Sequence, residues 1–327
     1  MLKYFLRRLF LLVFVLFGVV ILVFTIGRLI PGDPARVILG ERATPEMLEN
    51  IREKYGLNEP MVVQFFVYIK QLLHFDLGDS IVQHIPVWTV IQNHFMPTLE
   101  LTIMATFWAM IIGIPIGIFA AINKDTIFDY ISMNVALLGV SMPVFWIGLI
   151  LIMIFSVQLD WLPASGRTIG IFEGFFLLFS KGDIKALGEA FSYVVMPSLA
   201  LGSMFAALLA RISRSSMLDA LNENYIETAR AKGLKEKRVI LKHALKNALI
   251  PIVTVIGMQL GALMGGAVLT ESVFAWPGLG RVLVDSIYAR DYPAFQGIIL
   301  FAAMLFASIN LLVDMLYALI DPRIKYN

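Results

Sequence analysis

The stretch NYIETARAKGLKEKRVILKHALKNALIPIVTVIGMQ, from Asn224 to Gln259, changes solvent after Lys246. Its charges, Glu227, Arg230, Lys232, Lys235, Glu236, Lys237, Arg238, Lys242 and Lys246, all fall before Asn247, and no further charge follows until Glu271. The uncharged run Asn247–Thr270 exceeds the roughly 20 residues that a helix needs to cross about 30 Å of hydrocarbon. A charged connector therefore leads into a membrane-spanning helix, and that reading decides the fold.

Working outward, five more apolar gaps of comparable length appear at Leu9–Gly27, Leu101–Asn123, Tyr130–Leu159, Ala190–Ala210 and Tyr292–Val313. Composition agrees: 59% of the 327 residues are hydrophobic and only 15% charged, too little polar surface for a soluble globule of this size. Every backbone donor and acceptor in hydrocarbon must be satisfied within its own segment, so the spans are expected to be helices. The expected fold is an all-α polytopic membrane protein with six transmembrane helices. Residues 1–30 form the first helix, 31–97 a small extracytoplasmic cap, and 98–327 a five-helix core with an inner loop at 211–247.

Two further apolar stretches are not read as spans. Ser80–Leu99 contains Gln83, His84, Pro86, Gln92, Asn93, His94 and Pro97, and is expected to be an irregular or interfacial lead-in to the next helix. The run Phe175–Phe179 is too short to cross and predicts an interfacial patch in a loop.

Basic residues set the expected orientation. With the N-terminus inside, the inner segments hold Lys3, Arg7, Arg8, Lys124, Arg211, Arg214, Arg230, Lys232, Lys235, Lys237, Arg238, Lys242, Lys246, Arg323 and Lys325, fifteen of the 26 Lys and Arg residues. Six spans return the C-terminus to the same cytoplasmic side. A secretion signal at Lys3–Gly27 is the alternative, but the apolar run is long for one and lacks a small-x-small cleavage site before Arg28.

In the cap, Pro31-Gly32-Asp33-Pro34 stops the first helix. Residues Thr44–Tyr55 predict a short helix capped by Thr44 and closed by Gly56, and Val62–Leu73 a second, amphipathic helix on the membrane surface. The outer segment Asp160–Glu189 carries Trp161 as an interfacial anchor. The next, Glu271–Asp291, bends through Trp276-Pro277-Gly278, and Glu271, Trp276 and Gly278 line the outer mouth of a pathway or serve as an interfacial anchor.

In the inner loop, Tyr225–Lys232 predicts a two-turn helix, with Gly233 as its left-handed cap and Leu234 as the accompanying hydrophobic contact. Tyr225, Ile226 and Ala229 share an apolar face; Glu227 and Arg230 pair on the other, and small Ala229 and Ala231 allow close approach of a partner. Two turns do not persist alone, so packing from the loop or a partner is required. After the glycine, Val239, Ile240, Ala244, Leu245, Ala248 and Leu249 keep a helical period and feed the fifth span at Pro251, their opposed lysines facing anionic headgroups. On the residues alone, a plain basic connector remains an open alternative.

Several motifs in order carry a resemblance: Pro31-Gly32-Asp33-Pro34, Leu77-Gly78-Asp79-Ser80, Ser141-Met142-Pro143-Val144-Phe145-Trp146, Tyr225–Leu234 with His243–Ala248, Glu271-Ser272-Val273-Phe274 with Trp276–Gly280, and Asp321-Pro322-Arg323. Over essentially its full length the chain resembles the permeases of binding-protein-dependent ABC importers, in the dipeptide, oligopeptide and nickel branch. The resemblance implies that Tyr225, Glu227, Thr228, Ala229, Arg230, Ala231, Lys232, Gly233 and Leu234 couple the chain to an ATPase. It implies as partners two ABC ATPase subunits holding ATP and Mg, a second homologous six-helix permease, an extracytoplasmic binding protein and membrane lipid. The implied location is the inner membrane of a prokaryote, and the implied cargo a di- or oligopeptide, with nickel, a metal chelate or glutathione as alternatives. The chain departs from the broader pattern where Ile-x-Leu-Pro is expected, since His243-Ala244-Leu245-Lys246 stands there and the proline comes later at Pro251.

Within the spans, Asn134, Gln259, Asn310 and Asp314 call for partners or water. Gln259 lies near Gly257, Gly261, Gly265 and Gly266, a small-residue face for a passage or for close helix packing. Met142-Pro143 predicts a kink or bend in the third span, with Phe145 and Trp146 gating or packing.

Other functions fit less well. No Gly-x-x-x-x-Gly-Lys-[Ser/Thr] phosphate loop occurs, so ATP would be bound by a partner, and this chain is expected to bind no cofactor and to catalyse nothing itself. Gly139-Val140-Ser141 has no histidine in any span to serve as base for a hydrolase. Ten-residue spacing does not bring His74, His84 and His94 together as metal ligands, and the absence of cysteine removes thiol chemistry. Nothing resembles a nucleic-acid groove. An ion-coupled secondary transporter is the more distant rival, but no charged midplane site or inverted repeat supports it.

Overall fold

A computed structural model describes residues 2–29, 35, 39, 43–54 and 56–320. The motifs Pro31-Gly32-Asp33-Pro34 and Asp321-Pro322-Arg323, Tyr55, and the side-chain surroundings of Gly265, Gly266 and Asp314 lie outside what is described. The helices are α1 (Leu2–Leu29), α2 (Pro45–Lys54), α3 (Met61–Leu73), α4 (Val87–Ile122), α5 (Ile127–Ser141), α6 (Val144–Leu151), α7 (Ile171–Lys181), α8 (Ile184–Leu221), α9 (Asn224–Ala231), α10 (Glu236–Arg238), α11 (Leu245–Gly266), α12 (Val268–Val273), α13 (Leu279–Tyr288) and α14 (Tyr292–Ile320). Wider π-type turns follow α6 at Ile152–Gln158 and precede α11 at Val239–Ala244. Among the described residues, five helices are long and apolar enough to cross a membrane, or six when the bent α5–α6 pair counts as one span.

The chain divides into two compact units. One comprises residues 97–277 and 308–327 and is organised on α8, whose 38 residues extend well beyond the expected Ala190–Ala210 span. The helix begins where Asp183 accepts from the Lys185 and Ala186 amides, both at 3.1 Å. Against it lie α4, α5, α6, α7 and α11. The approach to α4 is close because the contact positions are small: a Cβ added at Gly113 would stand 2.4 Å from the Ala206 carbonyl oxygen, and one at Gly117 2.3 Å from that of Ala210. Gly202 of α8 answers with a backbone approach to Ala105.

Three elements in this unit correct the expectation. Phe175–Phe179 is no loop patch: it belongs to α7, where Gly174 packs on Leu187 and Ala190 of α8 while Phe176 and Phe179 stay exposed, and Gly182 at φ +70° ends the helix. The third span bends at Met142-Pro143 as expected, but sharply enough to break the helix. Met142 and Pro143 are both extended (ψ 132° and 134°), and the two halves meet at 102°. Proline disfavours the helical region for the residue before it and donates no amide, so the ladder stops at Ser141 and restarts from the Pro143 carbonyl. Finally, Pro251 sits inside α11 and marks no junction, because the helical path already begins at Glu236.

The other unit comprises residues 1–96 and 278–307. Here Thr44 Oγ1 accepts from the Met47 amide at 3.3 Å, and Gly56 at φ +62° closes α2, as expected. The lead-in is the correction: Val87 already begins α4, which runs unbroken through Pro97 to Ile122. Its Val87, Val90 and Ile91 are buried against Leu279, Val282, Ala294 and Ile298, and that apolar face outweighs the polar residues on its other side. Asp291 organises the rest by accepting from Ser80 Oγ and from the amides of Ile81, Val82 and Ala294 at 3.1, 3.2 and 3.2 Å. No strand forms among the described residues; a single antiparallel bridge joins Asp79 and Pro86.

Candidate functional site

The short helix α9 is held on one side and bare on the other. Ile226 and Ala229 are buried in a cluster with Ala121 of α4, Met217 and Ala220 of α8, and Val239, Ala244 and Ala248, and Leu234 packs on its edge. Full burial of Ile226 contributes roughly 2 kcal/mol, which supplies the packing that two turns lack by themselves. Glu227, Thr228, Arg230, Ala231 and Lys232 are exposed, and Tyr225 joins them at 37% rather than the buried face expected of it.

The helix closes at Gly233, φ +71°, where the Gly233 amide reaches the Arg230 carbonyl at 2.9 Å. A Cβ at this position would meet nothing within 4 Å, so the demand is on backbone conformation alone. Arg230 does not pair with Glu227. Its guanidinium instead reaches past the glycine turn to Glu236, with Nη2 at 2.6 Å and Nε at 3.2 Å from the two carboxylate oxygens, and this hydrogen bonding raises the Arg230 pKa further. The left-handed turn folds the chain back, and that brings a partner six residues away nearer than one three residues away.

All three residues expected at the outer mouth are buried. Glu271 is fully buried and accepts from Thr98 Oγ1 at 2.7 Å, while Trp276, 1% exposed, donates its indole N–H to the Pro97 carbonyl at 2.9 Å. Both are internal fastenings of the α4–α12 region, their polar edges met by protein. Gly278 begins the other unit and caps α13 in extended conformation.

Of the expected pathway residues, Met142 is the half-buried residue at the α5–α6 break, and Phe145 is exposed. On α11, Gln259 is half-buried and Gly261 buried. Gly257 lets α11 approach α14, since a Cβ there would stand 2.5 Å from Val313 Cγ2. Asn134 satisfies itself on the Tyr130 carbonyl at 2.8 Å.

Two buried ion pairs were missed from sequence. Asp129, 2% exposed at its side chain, receives Arg214 Nε and Nη2 at 2.6 Å each, joining the start of α5 to the last turns of α8. Glu100 receives Arg167 Nε at 2.9 Å and Nη2 at 3.1 Å. The available signal was a lone acid at the edge of each apolar run, but the spacing in sequence, 85 and 67 residues, gives no hint of the partner.

Relatives match the sequence along the whole chain. Residues 113–326 match the family described as binding-protein-dependent transport system inner membrane component, and residues 1–102 match that family's N-terminal region. The dipeptide transport system permease protein DppB of Alkalihalophilus pseudofirmus is 47% identical, covering all of both chains. The glutathione transport system permease protein GsiC of Escherichia coli is 44% identical, again over all of both chains. Among solved structures, a chain of the inward-facing MetNI methionine ABC transporter superposes with a TM-score of 0.55 at 18% identity, covering 72% of this chain and 97% of that one, which shows the common fold. Its apolar helices make this a multi-pass protein of the cell membrane, and the chain belongs to the binding-protein-dependent inner membrane components, the permeases of ABC importers.

Proposed function

We propose that this chain forms half of the passage of an importer for short peptides, with dipeptides as the favoured cargo. A second, homologous six-helix permease supplies the other half, an extracytoplasmic binding protein delivers the peptide, and two separate ATPase subunits hydrolyse ATP. The ATPase docks on the exposed side of α9. The observation that carries the reading is a two-turn helix anchored by Ile226 and Ala229 yet bare along Tyr225, Glu227, Thr228, Ala231 and Lys232, in a chain 47% identical to a dipeptide permease. Short helices that present a bare face to a groove are a recurring recognition mode, and a rigid helix transmits partner motion to the bundle.

Glutathione is a second reading, favoured by the 44% identity to GsiC. Reconstitution with its partner subunits in proteoliposomes separates the two: ATP-dependent uptake of labelled dipeptide in preference to glutathione is expected, and uptake of glutathione alone would reverse the assignment. Uptake driven by an ion gradient without any ATPase would overturn both.

A further inference from the structure

Helix α5 carries two seams, and the chain covers only one of them. On the inner side Met133, Ala136 and Val140 pack with Ala207 and Ala210 of α8, and Asp129, one turn earlier, is held by Arg214 of the same helix. On the opposite side Ile127, Ile131, Asn134, Leu138 and Ser141 recur at alternating spacings of four and three residues, and all five are exposed. That alternation, a period of about 3.5 residues, is the pattern of a line of side chains packed against another helix. With Ile127 at 78% exposure and Ile131 and Leu138 at 57% each, no helix of this chain occupies the line.

Lipid covers most outward apolar faces of a membrane helix, and the polar members of this line decide against it. Asn134 lies about 6 Å and Ser141 about 16 Å along the helix from Tyr130, where the charge-free run begins. Ser141 Oγ gives its hydrogen to the Leu137 carbonyl at 2.9 Å. Asn134 Nδ2 gives one hydrogen to the Tyr130 carbonyl at 2.8 Å, and its second hydrogen and its Oδ1 have no partner among the described residues. Lipid tails offer neither donor nor acceptor, so amide side chains at this depth belong against other helices or against water. Water would meet Ile127, Ile131 and Leu138 on the same line, an unfavourable contact for each. A packed helix satisfies both kinds of residue, and one asparagine in an otherwise apolar seam also fixes register, because a slip would leave it facing side chains that cannot bond to it.

We propose that this face of α5 is the contact with a second permease subunit, whose facing helix supplies a hydrogen-bonding side chain to Asn134. Of the partners in the functional reading above, only that subunit has helices at this depth, since the ATPases and the binding protein lie outside the bilayer. The identity of the partner rests on that reading; the presence of a helix against the seam rests on the exposed residues.

The test uses the complete importer complex in its membrane. Photoreactive p-benzoylphenylalanine placed at Ile131, or separately at Leu138, is expected to give an adduct with the second permease, identified by its mass. Adducts with phospholipid alone, or with an ATPase or binding protein, would overturn the proposal. Asn134→Leu is expected to lower the share of this chain that co-purifies with a tagged second permease about threefold or more, and Asn134→Gln to restore it. Because Asn134 bonds only within its own helix, both variants should reach the membrane in wild-type amounts. Unchanged co-purification of Asn134→Leu, or its loss from the membrane, would count against the contact. Asn134→Cys should resist a water-soluble methanethiosulfonate during turnover; ready modification would make the face a lining of the passage and overturn the proposal. Peptide uptake by the same complex separates the two readings: uptake without the adduct sinks this contact alone, and an adduct without uptake sinks the transport reading alone.

Discussion

At the scale of single residues, Gly233 and Asp129 are constrained in different ways. Gly233 has open space around it, so substitutions there are judged by backbone alone: Gly233→Val is expected to cost about 2 kcal/mol in the left-handed region, whereas Gly233→Asn, which visits that region readily, costs far less. In ATP-driven uptake by the reconstituted complex, the valine variant should lose most transport and the asparagine variant keep it; equal activity of the two would show that the turn conformation is unimportant. Asp129→Asn leaves Arg214 without its counter-ion. Removing one partner of a fully buried pair costs 3–5 kcal/mol, and because Arg214 retains 26% exposure the loss here is placed at about 2 kcal/mol, read as a lowered unfolding midpoint in detergent. The turn at Gly233 was legible because its cause is local, a glycine after a periodic run. The Asp129–Arg214 pair was not, because nothing local distinguishes an acid that caps a helix from one that binds a distant guanidinium.

Among the helices, length was the least legible property. Charge-free gaps locate where a helix can sit in hydrocarbon, but helices continue past the gap wherever packing satisfies them, as α8 does from Ile184 to Leu221 and α4 does from Val87. The break at Met142-Pro143 was legible as a disturbance and not as a turn of 102°, since proline sets where the ladder stops while the packing of Gly148 on Phe274 helps set where the chain goes next. Close packing between helices gives the clearest prediction. Gly117→Leu must displace the Ala210 carbonyl and Ser213, so α4 and α8 are forced apart and the protein should fail to reach the membrane in folded form, while Gly188→Leu, where nothing lies within 4 Å, should be tolerated. Comparable yields of the two variants on fluorescence-detected size exclusion would contradict the assigned contact.

For the whole molecule, the absence of cysteine makes topology directly measurable. Lys237→Cys and Ser165→Cys each introduce the sole thiol of the chain, and a membrane-impermeant maleimide applied to intact cells should label only the second. Labelling of the first would invert the orientation expected from the basic residues. One geometric consequence belongs to α8. At about 1.5 Å per residue its 38 residues reach about 57 Å, nearly twice the hydrocarbon thickness. The glycine contacts at Ala206 and Ala210 grip this rod off centre, leaving about 20 Å toward Leu221, next to α9, and about 36 Å toward Ile184. Pro197 lies on the longer arm, where burial and the Ser198 hydroxyl bonded to the Val194 carbonyl at 2.6 Å brace it. A rigid tilt about this grip would carry the Ile184 end nearly twice as far as the Leu221 end, so such a tilt requires α7, packed on Leu187 and Ala190, to travel with the longer arm.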